Sequence, residues 1–136
     1  MDNKTKIISI LQKIGLDKDQ FAVFGSGPMC VRGWRDFHDL DLLVKEEVFE
    51  QLRKDNEVAV AVSGDECIKK IVDGVEIEFF YGWHPGEWDA KMLIERADII
   101  DGYRFVRLED VVKWKKIKGR EKDWNDIKII EEKIKQ

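Results

Sequence analysis

The chain is poor in the residues that most often staple a fold or announce a metal. Its 136 residues include two cysteines (Cys30 and Cys67), two histidines (His38 and His84) and two prolines (Pro28 and Pro85). Two cysteines without metal-type spacing exclude a thiolate metal knuckle and a disulfide framework, and they suit reduced thiols in a cytoplasm. Cys30 has no visible base partner and reads as a small buried hydrophobe. His84 has no partner at ligand spacing. His38 sits beside Asp39, either to tune it or as an incidental loop residue. Long apolar runs are also missing. No stretch approaches the length of a membrane span, and "MDNKTKIISILQKIG" is amphipathic rather than a signal-peptide core, so no membrane partner is expected and the expected location is cytoplasmic. Repeats, low-complexity tracts and linkers are absent too.

What is there points to a folded, charged domain. A hydrophobic content of 43% beside 38% charged residues excludes a disordered chain. The length suits one domain over 1–136, large enough for a real core. Richness in Lys and Glu would suit a thermophile. The net charge of -4 hides an asymmetry: residues 1–110 hold 15 basic and 23 acidic side chains, whereas 111–136 hold 9 basic and 5 acidic. An acidic body with a basic tail suits a site where metal and anionic ligand meet, or simply a solvated Lys-rich helix.

Periodicity and turn residues outline the elements. Ile7, Ile8, Leu11 and Ile14 recur at helical spacing before Gly15, predicting a helix over 4–14. "FAVFG" reads as a buried strand, followed by a tight "GSGP" turn with Pro28 at the first position of a helix. "DLDLLV" is a strand and "EEVFEQLRKD" a helix. "VAVAV", "CIKKIV" and "VEIEFF" read as strands, the last after a turn at Asp73-Gly74. "GWHPGEW" is a loop and "EWDAKMLIERA" a helix. "DIIDGYRFVRL" is a hairpin turning at Asp101-Gly102. Residues 109–118 and 122–134 are two helices, which form a C-terminal helical part over about 109–134 in which Trp114 and Trp124 read as core. Strands and helices mix without strict βαβ alternation, so an α+β or mixed α/β fold is expected.

Three features carry chemistry. Glycines in Gly25-Ser26-Gly27-Pro28 let the backbone approach a ligand closely, and a helix start favours phosphate. Asp39 and Asp41 then share one strand face, opposite Leu40, Leu42 and Val44. Like charges that close repel and desolvate poorly, so a cation is expected between them. Glu76 and Glu78 again share one face, opposite Val75, Ile77 and Phe79. Two such strands side by side gather three or four carboxylates, an oxygen-rich set suited to Mg²⁺ and to clamping a phosphoryl displacement. The plainer reading is a solvated acidic sheet face. Trp83 and Trp88 either flank a nucleobase or anchor their loop on the core.

These residues resemble the signature of the nucleotidyltransferase superfamily with a polymerase β-like fold. In that family a Gly-Ser turn precedes a D-x-D pair, and a third acid follows on a neighbouring strand. "IIDGYRFVRLEDVVKWKKIKGREKDWNDIKII" is similar to the C-terminal part of small bacterial nucleotidyltransferase-like proteins, with Lys115, Arg120, Lys122, Asp123 and Asp126 at the matching positions. The resemblance implies a twisted mixed β-sheet flanked by helices and transfer of a nucleoside monophosphate from an NTP, ATP above all, to an acceptor. It implies that Gly25 and Ser26 hold triphosphate, that Arg35 steadies the loop or contacts phosphate, and that Asp39 and Asp41 bind Mg²⁺ or Mn²⁺. The third acid falls on Glu78 rather than Glu76, a Glu where the family has Asp. Lys115, Arg120 or Lys122 would neutralise triphosphate charge, or else Asp123 or Asp126 pairs with Arg120 and fixes the helix angle. The acceptor stays open, with a tRNA end among the candidates. A homodimer or partner protein is an expected source of the acceptor groove. A non-catalytic nucleotide-binding or toxin–antitoxin-type interaction module on the same fold is the alternative.

Overall fold

The structure, a computed structural model, describes residues 2–82 and 88–135. Trp83 and His84 lie outside the described residues. Helix α1 (Asn3–Ile14) starts where the Asp2 side chain accepts a hydrogen bond from the Thr5 N–H at 2.8 Å. It ends at Gly15, whose φ of 73° is open to a residue without Cβ. Strand β1 (Phe21–Phe24), the single turn α2 (Gly27–Cys30) and strand β2 (Asp39–Val44) follow, then α3 (Glu46–Asp55). Next come β3 (Ala59–Val60), β4 (Glu66–Val72), β5 (Val75–Phe80) and α4 (Ala90–Glu95). The chain closes with β6 (Asp98–Ile100), β7 (Tyr103–Phe105), α5 (Leu108–Lys118) and α6 (Glu121–Ile134).

The seven strands form one mixed sheet in the order β3-β4-β5-β2-β1-β7-β6. The β1–β2, β3–β4, β4–β5 and β6–β7 pairs are antiparallel, while β2–β5 and β1–β7 are parallel. Both tight hairpins turn where expected: Asp73-Gly74 and Asp101-Gly102 carry positive φ at both central residues, the conformation that matches strand twist.

Side-chain alternation divides the core in two. Leu40, Leu42 and Val44 join Phe21, Val23, Ile77 and Phe79 under α1 and α3. Ala22, Phe24 and Leu43 face the opposite way, against Leu93, Ile94, Val111, Trp114 and Ile130 of α4, α5 and α6. Asp39 and Asp41 belong to this second face, at the end of β2 away from Leu43. The acids therefore stand at the open end of the face that carries the basic helices.

Two expectations fail. "VAVAV" pairs only through Ala59 and Val60, because the chain turns back over 61–65 with Ala61 N–H bonded to Asp65 O at 2.8 Å. Trp124 is not core: it is 50% exposed, with its indole N–H donating to Gly119 O at 3.1 Å. The buried stripe of α6 begins instead with Asp123 and Asp126 and continues with Ile127 and Ile130. Trp114 is core as expected, edge-on to Phe24 at 5.3 Å. Trp88 packs against the second core cluster.

Candidate functional site

Gly25 leaves β1 with φ of 65°. A Cβ built there would lie 2.8 Å from Asp41 Oδ2, so the turn passes against the carboxylate in a way that only glycine allows. Gly27 is equally constrained, since a Cβ there would run into the Val23 side chain. Gly25→Ala combines a left-handed backbone with this collision. It is expected to lower unfolding free energy by about 2 kcal/mol or more in urea titration, and to displace Asp41.

Ser26 occupies the N-cap of α2 yet makes no side-chain cap hydrogen bond. Its Oγ accepts instead from Arg35 at 3.1 Å, and the same Arg35 nitrogen donates to Asp126 Oδ2 at 2.6 Å. The expected helix after the Gly-Ser turn is only one turn long, so it offers little of the helix-end field that a longer helix would supply.

The parallel register of β2 and β5 sets Asp39 beside Glu76 and Asp41 beside Glu78. Four carboxylates thus share one face. Burial, then the charges of Glu78 and Asp39, push the half-buried Asp41 carboxyl up to about 7. Burial also raises Glu78, with Glu76 and Asp39 adding to it against the opposing pull of Lys69. Lys69 of β4 lies opposite Glu78 in the hairpin register, 3.7 Å from Glu76 and 4.0 Å from Glu78. Among the described residues, no three acidic, histidine or cysteine side chains stand in metal-binding geometry. The donor set is nevertheless all oxygen and crowded, with Lys69 at its edge, which in its chemistry fits a hard divalent cation.

The opposite wall comes from α5 and α6. Lys115 is buried, 2.9 Å from Asp126 and 3.8 Å from Asp123. Arg120 grips the Asp123 carboxylate with Nε at 2.7 Å and a second guanidinium nitrogen at 3.1 Å. Burial would raise the Asp123 carboxyl, but the Arg120 hydrogen bonds and the nearby cations outweigh it and hold it below the usual range.

One cleft of about 530 Å³ gathers these groups. Gly25, Ser26, Arg35, Asp39, Asp41, Glu78, Lys115, Arg120 and Lys122 all line it; Glu76 does not. Lys118, Ser63, Asp65 and Lys69 line it as well, and sequence reasoning missed them. Lys118 was readable, since it follows Lys115 by three residues on one helix face. Burial and the neighbouring Arg120 depress the Lys118 amine. His38 lies on the cleft wall beside Asp39. Cys30 is buried away from it, and burial pushes its thiol up to about 11.

The fold has a known counterpart. The chain aligns with the crystal structure of a putative nucleotidyltransferase from Thermotoga maritima at a TM-score of 0.62, with 18% identity, over 94% of this chain and 93% of that one. The chain has a nucleotidyltransferase-like fold. No protein-family model matches it, and no curated protein matches it by sequence. Among the described residues, no helix is long and apolar enough to cross a membrane.

Proposed function

We propose that this cleft binds an NTP, ATP above all, and transfers its nucleoside monophosphate to an acceptor. The observation that carries the reading is convergence: a glycine-serine turn, a facing set of carboxylates and a wall of cations meet in one cleft. Lys118, Lys122 and Arg35 would attract the triphosphate, and the Gly25-Ser26 turn would receive its oxygens. Asp39, Asp41 and Glu78 would hold Mg²⁺ or Mn²⁺, which when bound would neutralise phosphoryl charge. The acceptor oxygen attacks the α-phosphorus as the bond to the bridging oxygen breaks and pyrophosphate leaves with the electron pair. The acceptor's proton passes to a carboxylate. Asp39 is exposed on the cleft wall, and Glu76 lies outside the cleft, which favours Asp39.

Lys118→Ala and Lys122→Ala are each expected to weaken MgATP binding about three- to tenfold at low salt, with the loss shrinking as salt rises. Titration calorimetry at two ionic strengths checks this.

A second reading has its own support. Glu78 stands where the family has Asp, and its carboxylate is shared with Lys69. That arrangement suits a module that holds nucleotide without turnover, paired with a partner protein as in toxin–antitoxin systems. A thermal shift with Mg²⁺ and ATP, run beside a pyrophosphate-release assay, separates the two. Both signals support transfer, a shift without release supports the module, and neither signal refutes both.

A further inference from the structure

Arg35 and Asp126 are 91 residues apart in the chain, yet they make one of the shortest ion pairs in the protein, 2.6 Å. The same Asp126 oxygen accepts from the buried Lys115 at 2.9 Å. Two cations therefore converge on a single carboxylate oxygen at the cleft wall. Arg35 also holds the Ser26 hydroxyl, which no helix N–H uses. Asp126 is itself buried, with its side chain only 6% exposed, and Lys115 beside it is 4% exposed. Buried charges in a helix interface cost desolvation that an apolar pair would avoid, so packing alone does not account for them.

We infer that Asp126 is a positioning residue: its carboxylate holds Arg35 and Lys115 as a fixed pair beside Ser26, making that corner a preorganised subsite for a phosphate group. The inference rests on the nucleotidyl-transfer reading of the cleft and adds to it a cleft-wall residue that acts through Arg35 and Lys115. Arg35 lies on the segment leading into β2 and Asp39. Its tie to α6 therefore also fixes the distance between the cation wall and the acids. Holding both cations in place in advance removes the ordering cost of gathering two long side chains around each incoming anion.

Charge and positioning predict opposite signs, which makes the inference testable. Neutralising an acid beside an anion site strengthens anion binding if only charge matters. If Asp126 positions, Asp126→Asn weakens it. The probes are inorganic tripolyphosphate without metal and MgATP, titrated calorimetrically into the parent, D126N and D126E. We expect about a tenfold or greater loss of affinity for both probes in D126N. D126E keeps a carboxylate for Lys115, and with it the fold, but moves that carboxylate by one methylene; a loss of several-fold is expected there, in protein whose melting curve stays cooperative. Equal or tighter binding by folded D126N, or unchanged binding by D126E, overturns the positioning role while leaving the nucleotide reading intact. Should D126N not fold, D126E alone decides. If the parent binds neither probe, the nucleotide reading fails and the positioning role fails with it.

Discussion

Asp41→Asn is expected to abolish the proposed metal-dependent NTP binding and, in metal-free protein, to raise the melting temperature at pH 8 but not at pH 4. Both halves follow from one environment. Asp41 is half-buried beside Glu78 and Asp39, and its carboxyl is pushed up to about 7 from an ordinary 3.8. The folded protein thus holds a proton there that the unfolded chain gives up near pH 4. Stability from this group is full below about pH 4 and is lost as pH rises towards 7. Asparagine removes the titration, so the gain at pH 8 is on the order of 2 kcal/mol, after allowance for the solvent that reaches the cleft, or several degrees. The same crowding that lowers stability in metal-free protein is what a bound divalent cation would relieve, so the substitution expected to stabilise the fold would also remove the proposed metal binding. Asp39→Asn is expected to lose binding as well, with a smaller stability gain because Asp39 is exposed. Calorimetry with Mg²⁺ and ATP, beside thermal melts at the two pH values, reads both effects. Unchanged binding in both variants sinks the assignment.

Glu78→Gln is expected to cost more activity than Glu76→Gln. The two face the same way, but Glu78 pairs in register with Asp41 and lines the cleft, whereas Glu76 pairs with Asp39 and stays outside. Losing a carboxylate from the proposed metal set is expected to lower turnover on the order of 100-fold or more, while Glu76→Gln is expected to stay within a fewfold of the parent. Pyrophosphate release at saturating NTP measures the pair. Lys69 adds a refinement, since it lies within 4.0 Å of both glutamates. Either substitution leaves it one acidic neighbour, so charge loss alone would make the two variants alike. Equal activity losses would therefore mean that what matters is the local charge, and the reverse order would move the third ligand to Glu76.

Much of the fold was legible because local chemistry and tertiary packing agree. The period of Ile7, Leu11 and Ile14 against Gly15 set α1, and two Asp-Gly turns set two hairpins. The Asp73-Gly74 turn even fixes the β4–β5 register, so the approach of Lys69 to Glu78 was derivable from it by counting back. "VAVAV" misled because an alternating apolar run has the composition of a strand whether or not a neighbour pairs with it. Trp124 misled for a different reason. The inward stripe of α6 opens with two acids, buried because Arg120, Lys115 and Arg35 neutralise them, and that displaces the tryptophan outward. The acids of the cleft were visible as a strand pattern. The parallel pairing that sets Asp41 beside Glu78, and the reach of Arg35 to Asp126, depend on contacts between distant segments that no local pattern encodes.

The position of a label tests the proposed transfer of a nucleoside monophosphate most directly. The protein is incubated with Mg²⁺, a cell extract and ATP labelled at either the α- or the γ-phosphate. Our reading predicts that an acceptor gains label from α-labelled ATP only, that pyrophosphate is released in equal amount, and that Asp41→Asn abolishes both. Acceptor label from γ-labelled ATP, or none from α-labelled ATP while the parent protein binds MgATP, would contradict it.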